Sequence, residues 1–116
     1  MIIAVQGTRG FSDYTIFLRA MGTAMSMMDP EDVEIQIFTA GPYQINAMVM
    51  EFSNVSERSL KARGKKIKVV KVPPTWIEKN IHDVDYFAFF SKPKEPMSHL
   101  VDLADAKDVE VGVYRY

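Results

Sequence analysis

Short apolar runs and stretches of helical spacing take turns along the chain. Ile2-Ile3-Ala4-Val5 is a continuous apolar run broken by Gly7 to Gly10, as in a strand buried on both faces. Ser12 or Asp13 is placed to cap a helix whose apolar face is Tyr14, Phe17, Leu18, Met21, Met25 and Met28, with Asp29-Pro30 as its stop. Val33, Ile35, Ile37 and Phe38 predict a second strand, closed by Ala40-Gly41-Pro42. Ile45, Met48, Val49 and Phe52 begin a second helix that runs to about Ala62, with Gly64 just past its end.

The remaining chain repeats the alternation. Ile67 to Val72 predicts a strand ended by Pro73-Pro74, and Trp76 to Asn80 one or two helical turns. Asp85 to Phe90 reads as an aromatic strand, and Pro93 and Pro96 bracket a loop. Ser98 caps a helix carrying Leu100, Val101, Leu103 and Ala104, before a last strand through Val109, Val111, Val113 and Tyr114. The order βαβαβ(α)βαβ predicts an α/β fold: a Rossmann-like three-layer sandwich, its five-stranded, mainly parallel sheet covered by helices on both faces. No linker or internal repeat divides residues 1–116, so a single domain is expected.

Composition removes whole classes of chemistry without naming one. The 116 residues contain no cysteine, which excludes disulfides, thiolate nucleophiles and iron–sulfur clusters. The net charge is −1, so the total charge gives no reason to expect a nucleic-acid partner. The one basic cluster, Lys61, Arg63, Lys65, Lys66, Lys68 and Lys71, is offset by acids elsewhere. The opening apolar run lacks a positive flank and meets Gln6 and Gly7 at once, unlike a signal peptide. No run approaches the roughly 18 apolar residues of a membrane helix, so a cytoplasmic protein with no membrane partner is expected.

In an open parallel sheet, ligands sit at the carboxyl ends of the strands. Gly7-Thr8-Arg9-Gly10 allows close backbone approach, a hydroxyl and a guanidinium fork for an anion, and it opens a helix. Its alternative is a plain turn with a solvated arginine. Gly41, Tyr43 and Asn46 offer a second loop, with Tyr43 able to stack on a ring, or else a simple helix entry. Trp76 fits the core edge better than a stacking role. The Ser91–Ser98 loop holds Lys92, Lys94 and the cap Ser98, either as an anion site or as a proline-stiffened loop. The histidines His82 and His99 stand in no metal-ligand spacing or serine–acid context. Neither a Walker loop nor a three-glycine dinucleotide fingerprint is present, and no catalytic residue, metal or cofactor is assigned. Met21, Met25 and Met28 share a helix face better suited to core than to an interface. Were it partly exposed, it is the candidate homodimer surface.

The stretch Ile2 to Tyr14, with its Gly7-Thr8-Arg9-Gly10-Phe11 turn, resembles the start of the SLOG superfamily, which includes the Lonely Guy phosphoribohydrolases and the DprA DNA-processing proteins. It is most similar to the small YspA-like branch, common in bacteria and their phages. Phe89-Phe90, His99 to Ala104 and Val109 to Tyr116 are similar to that branch's closing strand–helix–strand unit. The resemblance implies a Rossmann-like fold that binds nucleotides or nucleotide-derived ligands at the strand ends, in the host cytoplasm if phage-encoded. Gly7, Thr8 and Arg9 match the first ligand loop and Gly41 the second glycine of the following turn. Ala40, Asn46 and Pro96-Met97 replace the family's first turn glycine, an aspartate and the Gly-Thr cradle. The Lonely Guy catalytic motif is thus not retained. A non-catalytic nucleotide or ADP-ribose-like binding and regulatory domain is expected, through Gly7, Thr8, Arg9, Gly10, Gly41, Tyr43, Asn46 and Ser98. The alternatives are a protein–protein interaction module with a degenerate pocket and a phosphoribohydrolase-like enzyme.

Overall fold

The computed structural model describes residues 1–116. Five strands alternate with helices: β1 (Ile2–Gly7), α1 (Tyr14–Ser26), β2 (Glu34–Thr39), α2 (Tyr43–Ala62), β3 (Lys66–Lys71), α3 (Pro74–Asn80), β4 (Tyr86–Ser91), α4 (His99–Ala106) and β5 (Glu110–Arg115). A 3-10 turn, Ile81–Asp83, extends α3. All four strand pairings are parallel, in the order β3-β2-β1-β4-β5. The α/β sandwich expected from the alternation is therefore present. No helix is long and apolar enough to cross a membrane.

The strand order follows from where each crossover goes. Chain growth from β1 through β2 to β3 moves one way, and the α3 crossover then returns past β1 to start β4 on its other side. The sheet consequently separates two apolar layers. One is an 18-residue cluster under α1 and α2, including Phe17, Met21, Ile45, Phe52, Tyr86 and Phe90. The other is an 8-residue cluster under α3 and α4, including Ile77, Phe87, Phe89 and Leu100. The inner strand β4 is buried at all six positions, which explains its aromatic content. On the second side Trp76 stacks on Phe38 with ring centroids 4.1 Å apart, covering the core edge. Edge strand β3 exposes Lys66, Lys68 and Lys71, which oppose pairing with another sheet edge.

Element boundaries shift where side chains or backbone turns intervene. Helix α1 stops at Ser26, short of Asp29-Pro30, because the Met27 and Met28 amides donate back to Ala24 and Met25. Asp29 and Asp32 then close a turn of their own through the Asp29 and Glu31 amides. Met21 is fully buried, and Met25 and Met28 pack against the core, as the helical spacing predicted. Strand β1 runs on to Gly7 because Gly7 pairs in register with Phe90.

Strand β5 carries a close contact that no apolar pattern reveals. Tyr86 reaches from β4 across Gly112 to place its hydroxyl 2.6 Å from that of Tyr114. A Cβ at position 112 would lie 1.9 Å from the Tyr86 hydroxyl oxygen. Burial, with the Tyr114 hydrogen bond, pushes the Tyr86 phenol well above its ordinary range.

Candidate functional site

The order in which strands are added reverses between β1 and β4, and the crevice outside their carboxyl ends is the position where such sheets bind ligands. Two loops form it, Thr8–Asp13 after β1 and Lys92–Ser98 after β4. The first is anchored to the sheet by backbone: the Thr8 amide donates to Phe90 O of β4 at 2.9 Å, and just before it the Gly7 amide donates to Gly41 O, in the turn after β2, at 3.0 Å. Gly7 is a packing glycine, since a Cβ there would fall 2.6 Å from the Ile45 side chain.

A carboxylate sits at the junction. The Thr8 hydroxyl and the Lys92 amide both donate to Glu95 Oε1, the latter at 2.7 Å. The Gly10 backbone lies close beside the same carboxylate, and a Cβ there would fall 2.9 Å from both of its oxygens. These donors, with the Thr8 hydroxyl first among them, hold the Glu95 carboxyl below the usual carboxylate range. Arg115 fixes the same loop from the end of β5, its guanidinium donating to Pro93 O at 2.8 Å and to Glu95 O. The Lys92–Met97 segment is therefore a strap, tied by its backbone to β5 and by Glu95 to the loop after β1.

The candidate residues divide accordingly. Thr8 and Gly10 meet at Glu95, while Arg9 is exposed beside them and makes no hydrogen bond or ion pair with the protein. Ser98 is committed to α4, accepting from the Leu100 amide at 3.2 Å. Asp13 likewise caps α1 through the Ile16 amide. Both helix starts thus carry caps of their own, and the oxyanion donors come from the loops. Gly41, at φ 81° ahead of a cis Pro42, forms a turn that favours glycine. Asn46 accepts from the buried Thr39 hydroxyl at 2.7 Å, and Tyr43 is 82% exposed. These three make none of the hydrogen bonds around Glu95. His99 is exposed on the first turn of α4, 3.4 Å from Glu78.

Glu95 and Arg115 are the residues that the motif pattern passed over. The signal for Glu95 was faint: one acid in a loop with two lysines and two prolines. Arg115 had no local signal, because its partners lie about twenty residues earlier in the chain. No family model, no curated protein and no solved structure matches the chain.

Glu95 makes acid stability a readout of the strap. Its folded carboxyl titrates below its unfolded value, so its contribution is present above the ordinary glutamate range and lost as pH falls through the lower folded value. Urea melts of wild type and Glu95→Gln from pH 7 to about pH 3 should show a stability gap that closes in acid. A gap that stays constant across that range would contradict the assignment.

Proposed function

We propose that this chain is a non-catalytic binding and regulatory domain for a nucleotide or nucleotide derivative of the ADP-ribose kind, recognised by its anionic group at the β1–β4 crevice. The observation that carries it is the convergence of the Thr8 hydroxyl and the Lys92 amide on one carboxylate oxygen of Glu95 at the point where the strand order reverses. Donors aimed at a carboxylate fit a phosphate oxygen equally well. Arg9, Lys92 and Lys94 are exposed around them and supply unpaired positive charge. Glu95 is held ionised, which suits a structural acceptor and not the general acid that a base-releasing enzyme would need. The SLOG resemblance at the two chain ends agrees with a ligand at these strand ends.

Arg9→Ala tests the proposal without disturbing the fold, because Arg9 touches no partner. Nucleoside mono-, di- and triphosphates, ADP-ribose and NAD should be screened by thermal shift and the best followed by calorimetry. Arg9→Ala should weaken the binding more than tenfold, by about 1.5–3 kcal/mol, the scale of a charged hydrogen bond. Equal affinity in the two proteins would remove Arg9 and with it the proposed site.

One observation favours a second reading, an interaction module with a degenerate pocket. The three depressions on the surface lie around the end of α2 and the start of β5, and none lies at the carboxyl edge. Leu18 and Met27 on and beside α1, and Met50 and Val55 on α2, are apolar and exposed, as a homodimer or partner contact through these helices requires. A defined oligomer or complex from a protein that binds none of the screened compounds would favour this reading.

A further inference from the structure

We infer that Glu95 is a built-in competitor: its carboxylate occupies the oxyanion position of the crevice, and a phosphate-bearing ligand enters only by displacing it and so freeing the Lys92–Met97 strap from the loop after β1. The inference rests on the proposed ligand site and adds its regulation.

Three features support it. First, the position is filled by the chain itself. Thr8 and Lys92 both spend a donor on Glu95 Oε1, and the carboxylate fills the space beside Gly10, 2.9 Å from where a Cβ would stand. A second anion cannot share those donors, since two negative charges within contact distance repel. Second, the attachment is reversible in form. Glu95 reaches the loop after β1 by its side chain alone, across 87 residues of sequence, and its neighbours Lys94 and Pro96 are exposed. Third, the strap has a separate anchor. Arg115 holds the backbone at Pro93 and Glu95, so the Glu95 side chain can leave the crevice while the segment stays tethered to β5. Arg9 stands in the chain between Thr8 and Gly10, and Lys92 and Lys94 stand on the strap with Glu95; all three are exposed and make no ion pair. The apparent affinity of such a site is its intrinsic affinity reduced by the open fraction.

The test uses inorganic phosphate and ADP as probes, with adenosine as the uncharged control, in wild type, Glu95→Gln and Glu95→Ala at neutral pH. Calorimetry should show both probes binding Glu95→Ala at least tenfold more tightly than wild type, as expected if the strap is open about one time in ten. Glu95→Gln should also gain, and adenosine should not distinguish the proteins. In wild type, saturation with ADP should speed hydrogen exchange at the Lys92 amide, which loses its carboxylate acceptor. Should Glu95→Ala fold poorly, Glu95→Gln and the exchange measurement carry the test alone. Wild-type binding that is lost in Arg9→Ala yet not tightened in either Glu95 variant would overturn the competitor role and leave the ligand site standing. Absence of binding in every protein, with the strap freed, would overturn both.

Discussion

Phe90→Ala should destabilise the protein by about 4 kcal/mol, lowering its melting midpoint by something on the order of 15 °C. Phe90 is fully buried, and its ring packs against Phe11, Phe17 and Tyr114 at centroid distances of 5.0, 5.3 and 5.2 Å. Truncation leaves a cavity bordered by three aromatic rings that cannot all move in to fill it. The backbone at the same residue accepts the Thr8 amide, so the loss reaches the crevice. Ligand binding should weaken in Phe90→Ala even where the protein remains folded. Urea denaturation followed by circular dichroism gives the stability directly, and a loss below about 2 kcal/mol would show that the neighbouring rings collapse into the space.

Gly112→Val is expected to cost about 3 kcal/mol or more, for the opposite reason. Here the fault is excess volume. The first added carbon would overlap the Tyr86 hydroxyl at 1.9 Å and the Tyr114 ring at 2.7 Å. Tyr86 is 4% exposed and rigid, and it cannot swing away without breaking its hydrogen bond to Tyr114. Valine favours strands by its branched side chain, so a propensity argument predicts a gain at this position. The double variant Gly112→Val with Tyr86→Phe decides between the two accounts. Removing the hydroxyl should recover part of the loss, because the overlapping atom is gone. No recovery would place the strain in the backbone of β5 instead.

The fold was legible because its causes are local. Apolar runs at β1 and β4 announce buried strands, and the helical spacing of Phe17, Met21, Met25 and Met28 announces a covered helix, although Leu18, expected on the same face, lies at its exposed margin. Asp13 and Ser98 were readable as caps, since a cap acts within three residues of itself. The crevice was readable only as a place. Thr8 and Gly10 were visible in a glycine-containing loop, whereas the carboxylate they hold comes from residue 95. Its meeting with Thr8 depends on the register that pairs Gly7 with Phe90, and register is fixed by the assembled sheet. The Tyr86–Gly112–Tyr114 contact escaped for the same reason. Tyr43 and Asn46 show the converse. Their side chains suit ligand contact, but Asn46 is already engaged by Thr39 and Tyr43 points into solvent.

Trp76 has a consequence for watching this protein unfold. It is the only tryptophan, and it lies on the thinner side of the sheet, stacked flat on Phe38. Intrinsic emission therefore reports on the layer built from α3 and α4, whereas far-ultraviolet ellipticity reports on every helix and strand together. Recorded on one sample, the two signals compare half of the molecule with the whole. Superimposed curves would mean that the two layers melt as one cooperative unit, and an early change in emission would mean that the smaller layer peels from the sheet first.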